Sequence, residues 1–183
     1  MIFSETKLKG AFTIELEKRA DDRGFFARGW CRKEFADHGI HVDVLQGNVS
    51  WNPVKGTLRG MHWQVAPHEE GKLIRCVRGR IFDVIVDLRP GSPTQWQWFG
   101  AELSSENYRM MWCPPGFAHG FQTLEDNCEV NYLVSAAYSP DASRGLRFDD
   151  PAVQIEWPLP VTKISAQDAG WPDVKTTQAE AAD

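Results

Sequence analysis

A base, an ammonium and a guanidinium fall between Arg59 and Lys72, close enough together to work on one small molecule. His62 lies between Met61 and Trp63 in GTLRGMHWQ, where apolar neighbours keep water off part of the ring and an imidazole can titrate near neutrality and move protons. Lys72 opens KLIRCV. Side chains on a strand alternate, so Lys72, Ile74 and Cys76 share one face and Leu73, Arg75 and Val77 the other. A lysine on an otherwise apolar face costs free energy unless it has a partner or a task. In the next segment Phe82, Val84, Val86 and Leu88 form an apolar face, while Asp83 and Asp87 share the other with Ile81 and Ile85. With Arg78-Gly79 as the turn, the two segments read as a tight antiparallel pair charged on one side.

The elements that must hold these groups are short strands. Phe12 to Leu16 alternates, Asp21-Asp22-Arg23-Gly24 turns the chain, and Phe25 to Trp30 reads as an aromatic strand. CRKEFADHGI is the one clear helix before the centre, with Gly39 as its stop signal. VDVLQGNVSWNP follows as strand and loop, hairpins are expected over Thr57 to Leu88, and TQWQWFGAEL alternates again. Three more strands lie in YRMMWCPPGFAHGFQTLEDNCEVNYLVSAAY, broken at Pro114-Pro115-Gly116 and Glu125-Asp126-Asn127. Strands at intervals of about ten residues with turns between them indicate an all-β jelly-roll sandwich or barrel. Ser139 to Pro172, with prolines that central strands exclude, should wrap that barrel, leaving one domain over 1–172 and a frayed tail over 173–183.

Composition narrows the function classes. With 20 Lys and Arg against 25 Asp and Glu the formal net charge is -5, so nucleic acid is not expected as a non-specific partner and any phosphate needs local cations. Cys31, Cys76, Cys113 and Cys128 are widely spaced without a CxxC pair and read as reduced thiols, Cys76 and Cys113 as core fillers. No apolar run approaches the roughly 20 residues of a membrane span, so a cytoplasmic protein without membrane association is expected.

Taken together, RGFF at Arg23, QGNVS at Gln46, GTLRGMHWQ ending at Gln64, GKLIRCVRGRIFDVIVDLRPGSPT, PPGFAHGF through His119, the Tyr132 and Tyr138 pair, Asp150-Pro151, IEWP and SAQD at Asp168 resemble the nucleotide-sugar 3,5-epimerases of the rhamnose pathway. This is the dTDP-4-dehydrorhamnose 3,5-epimerase family of the cupin superfamily, and the likeness runs from about Phe12 to Pro172. It implies a cupin-type jelly roll acting on a nucleoside-diphosphate 4-keto-6-deoxyhexose, whose hydrogens on carbons 3 and 5 are acidified by the carbonyl between them. His62 matches the family's base and Asp168 the carboxylate behind it, Lys72 would hold charge on the carbonyl oxygen, and Tyr132 matches the acid on the far face. Arg23 and Phe26 match residues near the nucleotide, reaching it from a neighbouring subunit of a homodimer with exchanged N-terminal strands. Gln46 and Asn48 match polar substrate contacts, Arg59 a pyrophosphate contact, His119 a contact in the same mouth, and Tyr138 a ring that stacks on the base. The implied chemistry calls for no metal or redox cofactor.

The chain departs from the family pattern on the nucleotide side. Arg28 and Ser143 stand where thymidine-nucleotide enzymes usually carry glutamate, and the loop between Gln46 and Arg59 is one residue longer, with Trp51 and Pro53 inside it. A cytidine or guanosine diphosphate sugar inverted at one centre is therefore the alternative substrate. Two rivals come from other classes. A metal-dependent cupin could recruit His62, His68, Glu69, Glu70 and His119, although Gln64 occupies the position of the second histidine in the usual metal-binding pattern. A non-catalytic sugar-binding barrel would keep the aromatics and Arg59 but need no base, lysine and tyrosine together.

Overall fold

The computed structural model describes residues 1–173, so the expected tail lies, apart from Asp173 itself, outside the described residues. Strands come in chain order as β1 (Ile2–Glu5), β2 (Phe12–Glu15), β3 (Arg19–Asp21), β4 (Gly24–Phe26), β5 (Gln46–Asn52), β6 (Leu58–Gln64), β7 (Lys72–Arg78), β8 (Arg80–Asp87), β9 (Trp98–Ser104), β10 (Met110–Cys113), β11 (Phe117–Thr123), β12 (Cys128–Val134) and β13 (Ser143–Gly145). Helices α1 (Arg32–Ala36) and α2 (Ala166–Ala169) are short. Two antiparallel sheets face each other in a jelly roll, one ordered β1-β2-β10-β7-β12-β5 and the other β13-β6-β11-β8-β9, while β3 and β4 form a separate ribbon.

Apolar alternation explains this layering. Ile74, Cys76, Met111 and Val130 from the first sheet meet Ile81, Ile85, Leu103, Phe117 and Phe121 from the second in one buried cluster. Each such side chain contributes roughly 2 kcal/mol by leaving water. The outer face of the six-stranded sheet, with Ile14, Leu73 and Met110, is covered by Phe35 of α1 and by Ile40. The outer face of the five-stranded sheet, with Val84, Val86 and Ala118, is covered by Leu146, Val153 and Trp157, so the segment after Ser139 wraps the barrel as its prolines require.

The expected hairpins over Thr57 to Leu88 do not form. β6 and β8 belong to the five-stranded sheet and β7 to the six-stranded one, so the chain changes sheet at each connection. At Gly79, where φ is +73°, the strand bends across the barrel, and Ile74 and Cys76 of β7 meet Ile81 and Ile85 of β8 through the core instead of pairing edge to edge. The charged face therefore points into the barrel: Lys72, Asp83 and Asp87 are all buried. The aromatic strand stops at Phe26 rather than Trp30, and the one over TQWQWFGAEL begins only at Trp98. Thr94 is engaged with Asp87, and Trp96 takes a left-handed φ of 67°, which ends strand geometry there. Strands β1 and β13 are additions that alternation alone did not mark. Among the described residues no helix is long and apolar enough to cross a membrane.

Asp87 ties the loop after β8 to the barrel. Its Oδ1 accepts from the Arg89 backbone N–H at 3.0 Å and from Arg89 Nε at 2.9 Å. Its Oδ2 accepts from the Arg89 guanidinium at 2.8 Å, Ser92 Oγ at 2.6 Å and Thr94 Oγ1 at 2.7 Å. Burial alone would raise this carboxyl, but the five donors outweigh it and hold it at about 2. A carboxyl depressed on folding stabilises the native state above its unfolded value and loses that contribution as pH falls through the folded one. Wild type is therefore expected to exceed Asp87→Asn in unfolding free energy by about 2 kcal/mol at neutral pH, with the gap closing between roughly pH 4 and pH 2. Urea titrations of both proteins across that range check it; a gap independent of pH would contradict the assignment.

Candidate active site

His62 and His119 stand directly opposite each other on neighbouring strands β6 and β11, and so share the inner face of the five-stranded sheet. Lys72 and Tyr132 come from the other sheet, where β7 and β12 run side by side. The four side chains approach one space from both layers. That space has two lobes, one of about 410 Å³ that includes Gln46, Asn48, Gln64, Tyr138 and Ser143 in its lining, and one of about 310 Å³ that includes Trp51, Arg59, His119 and Asp168. His62, Lys72 and Tyr132 line both lobes and mark their junction.

The base has a built support. Ser165 caps α2 by accepting the Asp168 N–H at 3.0 Å, and this first turn aims the Asp168 carboxylate at the imidazole. Oδ1 meets His62 Nε2 at 2.7 Å, and Oδ2 accepts the Gly60 N–H at 3.2 Å. Gly60 has a φ of +122°, and a Cβ there would lie 2.6 Å from the Gly120 Cα, so only glycine lets β6 pass this close to β11. Burial pushes the Asp168 carboxyl up, yet the His62 ring, by hydrogen bond and charge, and the Gly60 N–H together bring it below the usual carboxylate range. An anionic Asp168 fixes the tautomer with hydrogen on Nε2 and leaves the lone pair on Nδ1. The imidazole side chain is 41% exposed, which opens it to the cleft.

Lys72 found a partner as well as a position. Its side chain is 8% exposed, Nζ forms an ion pair with Glu70 Oε1 at 2.9 Å, and it donates to the His62 carbonyl oxygen at 3.2 Å. His119 lines the smaller lobe with little of its surface open. It is buried, with Nε2 on Asp83 Oδ1 at 2.8 Å, and burial pushes the Asp83 carboxyl up more strongly than His119 and Lys72 draw it down. Arg59 is exposed in its lobe, with Nε donating to Asn52 Oδ1 at 2.6 Å. Gln46 Oε1 accepts the Tyr138 N–H at 3.0 Å, and the Tyr138 ring is 66% exposed beside the larger lobe.

Not every expected residue reaches the cleft. Arg23 and Phe26 lie on the exposed β3–β4 ribbon, where Arg23 pairs with Asp21, and neither lines a lobe on its own chain. Of the three departures from the family pattern, Ser143 lines the larger lobe, the longer loop brings Trp51 to the smaller one, and Arg28 pairs with Glu34 elsewhere. His68 and Glu69 are exposed, and among the described residues no group of three or more His, Cys, Asp or Glu is placed to hold a metal ion. Sequence reasoning weighed Glu70 only as a ligand in the metal-dependent alternative and gave Asp83 a charged face without a role, whereas Glu70 pairs with Lys72 and Asp83 feels its charge. It missed Trp171, whose ring packs on Gly145 and lies edge-on to His62 at 6.3 Å; no local signal announces that residue.

Comparison with known proteins gives the chain its relatives. Residues 5–176 match the model of the family described as dTDP-4-dehydrorhamnose 3,5-epimerase. A protein of that name from Sinorhizobium fredii is 43% identical over 175 residues, covering 95% of this chain and 90% of the relative. The crystal structure of the dTDP-4-dehydrorhamnose 3,5-epimerase of Elizabethkingia anophelis superposes with a TM-score of 0.93 at 34% identity, over 96% of this chain and 97% of the other. The dTDP-6-deoxy-D-glucose-3,5-epimerase of Legionella pneumophila, solved in complex with dTDP-4-keto-L-rhamnose, superposes with a TM-score of 0.91 at 37% identity, over 98% and 95%.

Proposed function

The chain belongs to the dTDP-4-dehydrorhamnose 3,5-epimerase family, and from that premise we propose that it inverts carbon 3, carbon 5 or both of a nucleoside-diphosphate 4-keto-6-deoxyhexose. It is an isomerase of carbohydrates with the cupin jelly roll of its relatives, and its reaction belongs to deoxysugar biosynthesis. The observation that carries the reading is the junction of the two lobes, where His62 backed by Asp168 meets Lys72 and Tyr132 from the opposite sheet. His62 Nδ1 takes the proton from carbon 3 or 5, and the C–H electron pair moves toward the carbonyl, giving an enolate. Asp168 stabilises the imidazolium. Lys72 holds the charge that develops on the oxygen. The Tyr132 phenol returns a proton from the other side, and the carbon is inverted.

Binding follows the lobes. Arg59, oriented by Asn52, offers its planar fork to the pyrophosphate, and the exposed Tyr138 ring stacks on the nucleobase. Gln46, Asn48 and His119 supply polar contacts to the substrate. Ser143 faces the larger lobe, which keeps the alternative of a CDP- or GDP-linked sugar inverted at one centre open to test. Incubation with 4-keto-6-deoxyglucose linked to dTDP, CDP or GDP in deuterated water, counting deuterons by position, reads nucleotide and carbon together. Incorporation from none of the three would overturn the reading in favour of a sugar-binding barrel. In the same assay Tyr132→Phe is expected to retain deuterium exchange while losing inversion. Wild-type product yield from that variant would remove Tyr132 from the acid's role.

The functional unit in this reading is a homodimer. A groove of about 500 Å³ on the outer face of the six-stranded sheet is lined by Trp30, Val49, Leu73, Val77, Met110 and Leu133, with Val49 68% exposed. Arg75 Nε and Asn131 Oδ1 are buried in it without hydrogen-bond partners among the described residues, a cost that a second copy would relieve. Exchanged N-terminal strands would then carry Arg23 and Phe26 to the neighbour's nucleotide. Sedimentation equilibrium is expected to give twice the chain mass for wild type and the single mass for Val49→Arg; a monomeric wild type would refute this part.

A further inference from the structure

We propose that Glu70 is a positioning residue for the reaction, holding the Lys72 ammonium at the junction of the lobes with one N–H free for the substrate's carbonyl oxygen. An ammonium has three donors. One goes to Glu70 Oε1 at 2.9 Å and a second to the His62 carbonyl oxygen at 3.2 Å, which belongs to strand β6 and cannot swing. Glu70 is itself confined, with its side chain 13% exposed in the wall of the larger lobe two residues ahead of Lys72. Two fixed acceptors determine the direction of the remaining N–H, as an oxyanion donor requires.

A competing buried acceptor explains why the lysine needs a fixed carboxylate. His62 from β6, His119 from β11 and Tyr132 from β12 line the same lobe as Lys72, Asp83 from β8 and Cys113 from β10 lie close enough to feel its charge, and Asp168 stands behind His62. Asp83 lies near enough for its charge and that of Lys72 to act on each other, and the Cys113 thiol feels Lys72, Asp83 and Glu70 together. Asp83 Oδ2 is buried with no hydrogen-bond partner among the described residues, while Oδ1 is taken by His119. Without Glu70 the ammonium is drawn toward that free oxygen, on a side chain that is fully buried and lines neither lobe. Glu70 outbids Asp83 and keeps the donor in the cleft.

This inference rests on the epimerase reading, and its test separates the two. Steady-state kinetics of wild type, Glu70→Gln, Glu70→Ala, Lys72→Met and the Lys72→Met/Glu70→Ala double variant are measured with the dTDP-linked 4-keto sugar or whichever of the three nucleotides turns over. Glu70→Ala is expected to lower kcat by about tenfold, the scale of one charge-assisted hydrogen bond, with KM within about threefold. Glu70→Gln keeps an oxygen in place and is expected to recover about a third or more of wild-type kcat. In the Lys72→Met background the Glu70→Ala change is expected to alter kcat by less than about twofold, because a residue that acts only through another has nothing left to act on. A merely structural role would instead lower kcat by the same factor in both backgrounds and overturn the proposal, as would a Glu70→Ala kcat equal to wild type. If Glu70→Ala does not fold, Glu70→Gln in both backgrounds makes the same comparison. Absence of turnover by wild type would remove the epimerase reading and this inference with it.

Discussion

His62→Ala is expected to abolish deuterium wash-in at carbons 3 and 5, lowering exchange by about 10³-fold or more, within the range attributed to a positioned general base. That factor corresponds to about 4 kcal/mol of barrier. Two features make the loss chemical rather than structural. The imidazole is 41% exposed, so truncation opens no core cavity, and β6 keeps its pairings to β11 and β13 through backbone atoms. Asp168 also retains the Gly60 N–H and its place in the cap of α2. Proton NMR of the substrate in deuterated water, with circular dichroism of the variant as a folding control, gives the answer. Exchange within tenfold of wild type would transfer the base's role to another group.

Lys72→Met should come next in size. The methionine fills most of the lysine's volume, but no ammonium then faces the carbonyl oxygen, and a preorganised donor to a developing oxyanion is worth about 3 kcal/mol, or about 10²-fold in kcat. Exchange and inversion are expected to fall together, since both pass through the enolate. Stability moves separately, because the substitution leaves the confined Glu70 carboxylate without its cation. Adding Glu70→Gln to Lys72→Met is therefore expected to recover thermal stability without recovering activity. A Lys72→Met enzyme with kcat within threefold of wild type would show that the oxygen's charge is held elsewhere.

Much of the fold was written in local pattern. Alternation in KLIRCVRGRIFDVIVDL assigned the right residues to the right faces, and short strands punctuated by turn residues implied the jelly roll. Alternation reports which face is buried and is silent on which strand lies alongside, so β7 and β8 read as a hairpin when a bend at Gly79 sends them to different sheets. The site was legible to the same degree. His62, Lys72 and Tyr132 line the junction and Asp168 backs the base, as the motifs implied, whereas His119 turned out to be tied to Asp83 inside the barrel. Glu70 and Trp171 carry no motif of their own: Glu70 is revealed by its ion pair with Lys72 two residues on, and Trp171 by the packing of distant segments. Arg23 and Phe26 lie on an exposed ribbon that lines neither lobe of its own cleft.

The path of the chain from sheet to sheet makes this catalyst indivisible. No stretch shorter than the one from Gln46 to Asp168 contains the whole lining of the cleft, and successive contributors arrive from alternate walls. A contiguous fragment, however well it holds its own strands together, would carry pieces of both walls and complete neither. Competence thus belongs to the closed barrel as a whole, reached when contacts far apart in sequence have formed, and cannot be lifted out as a portable motif.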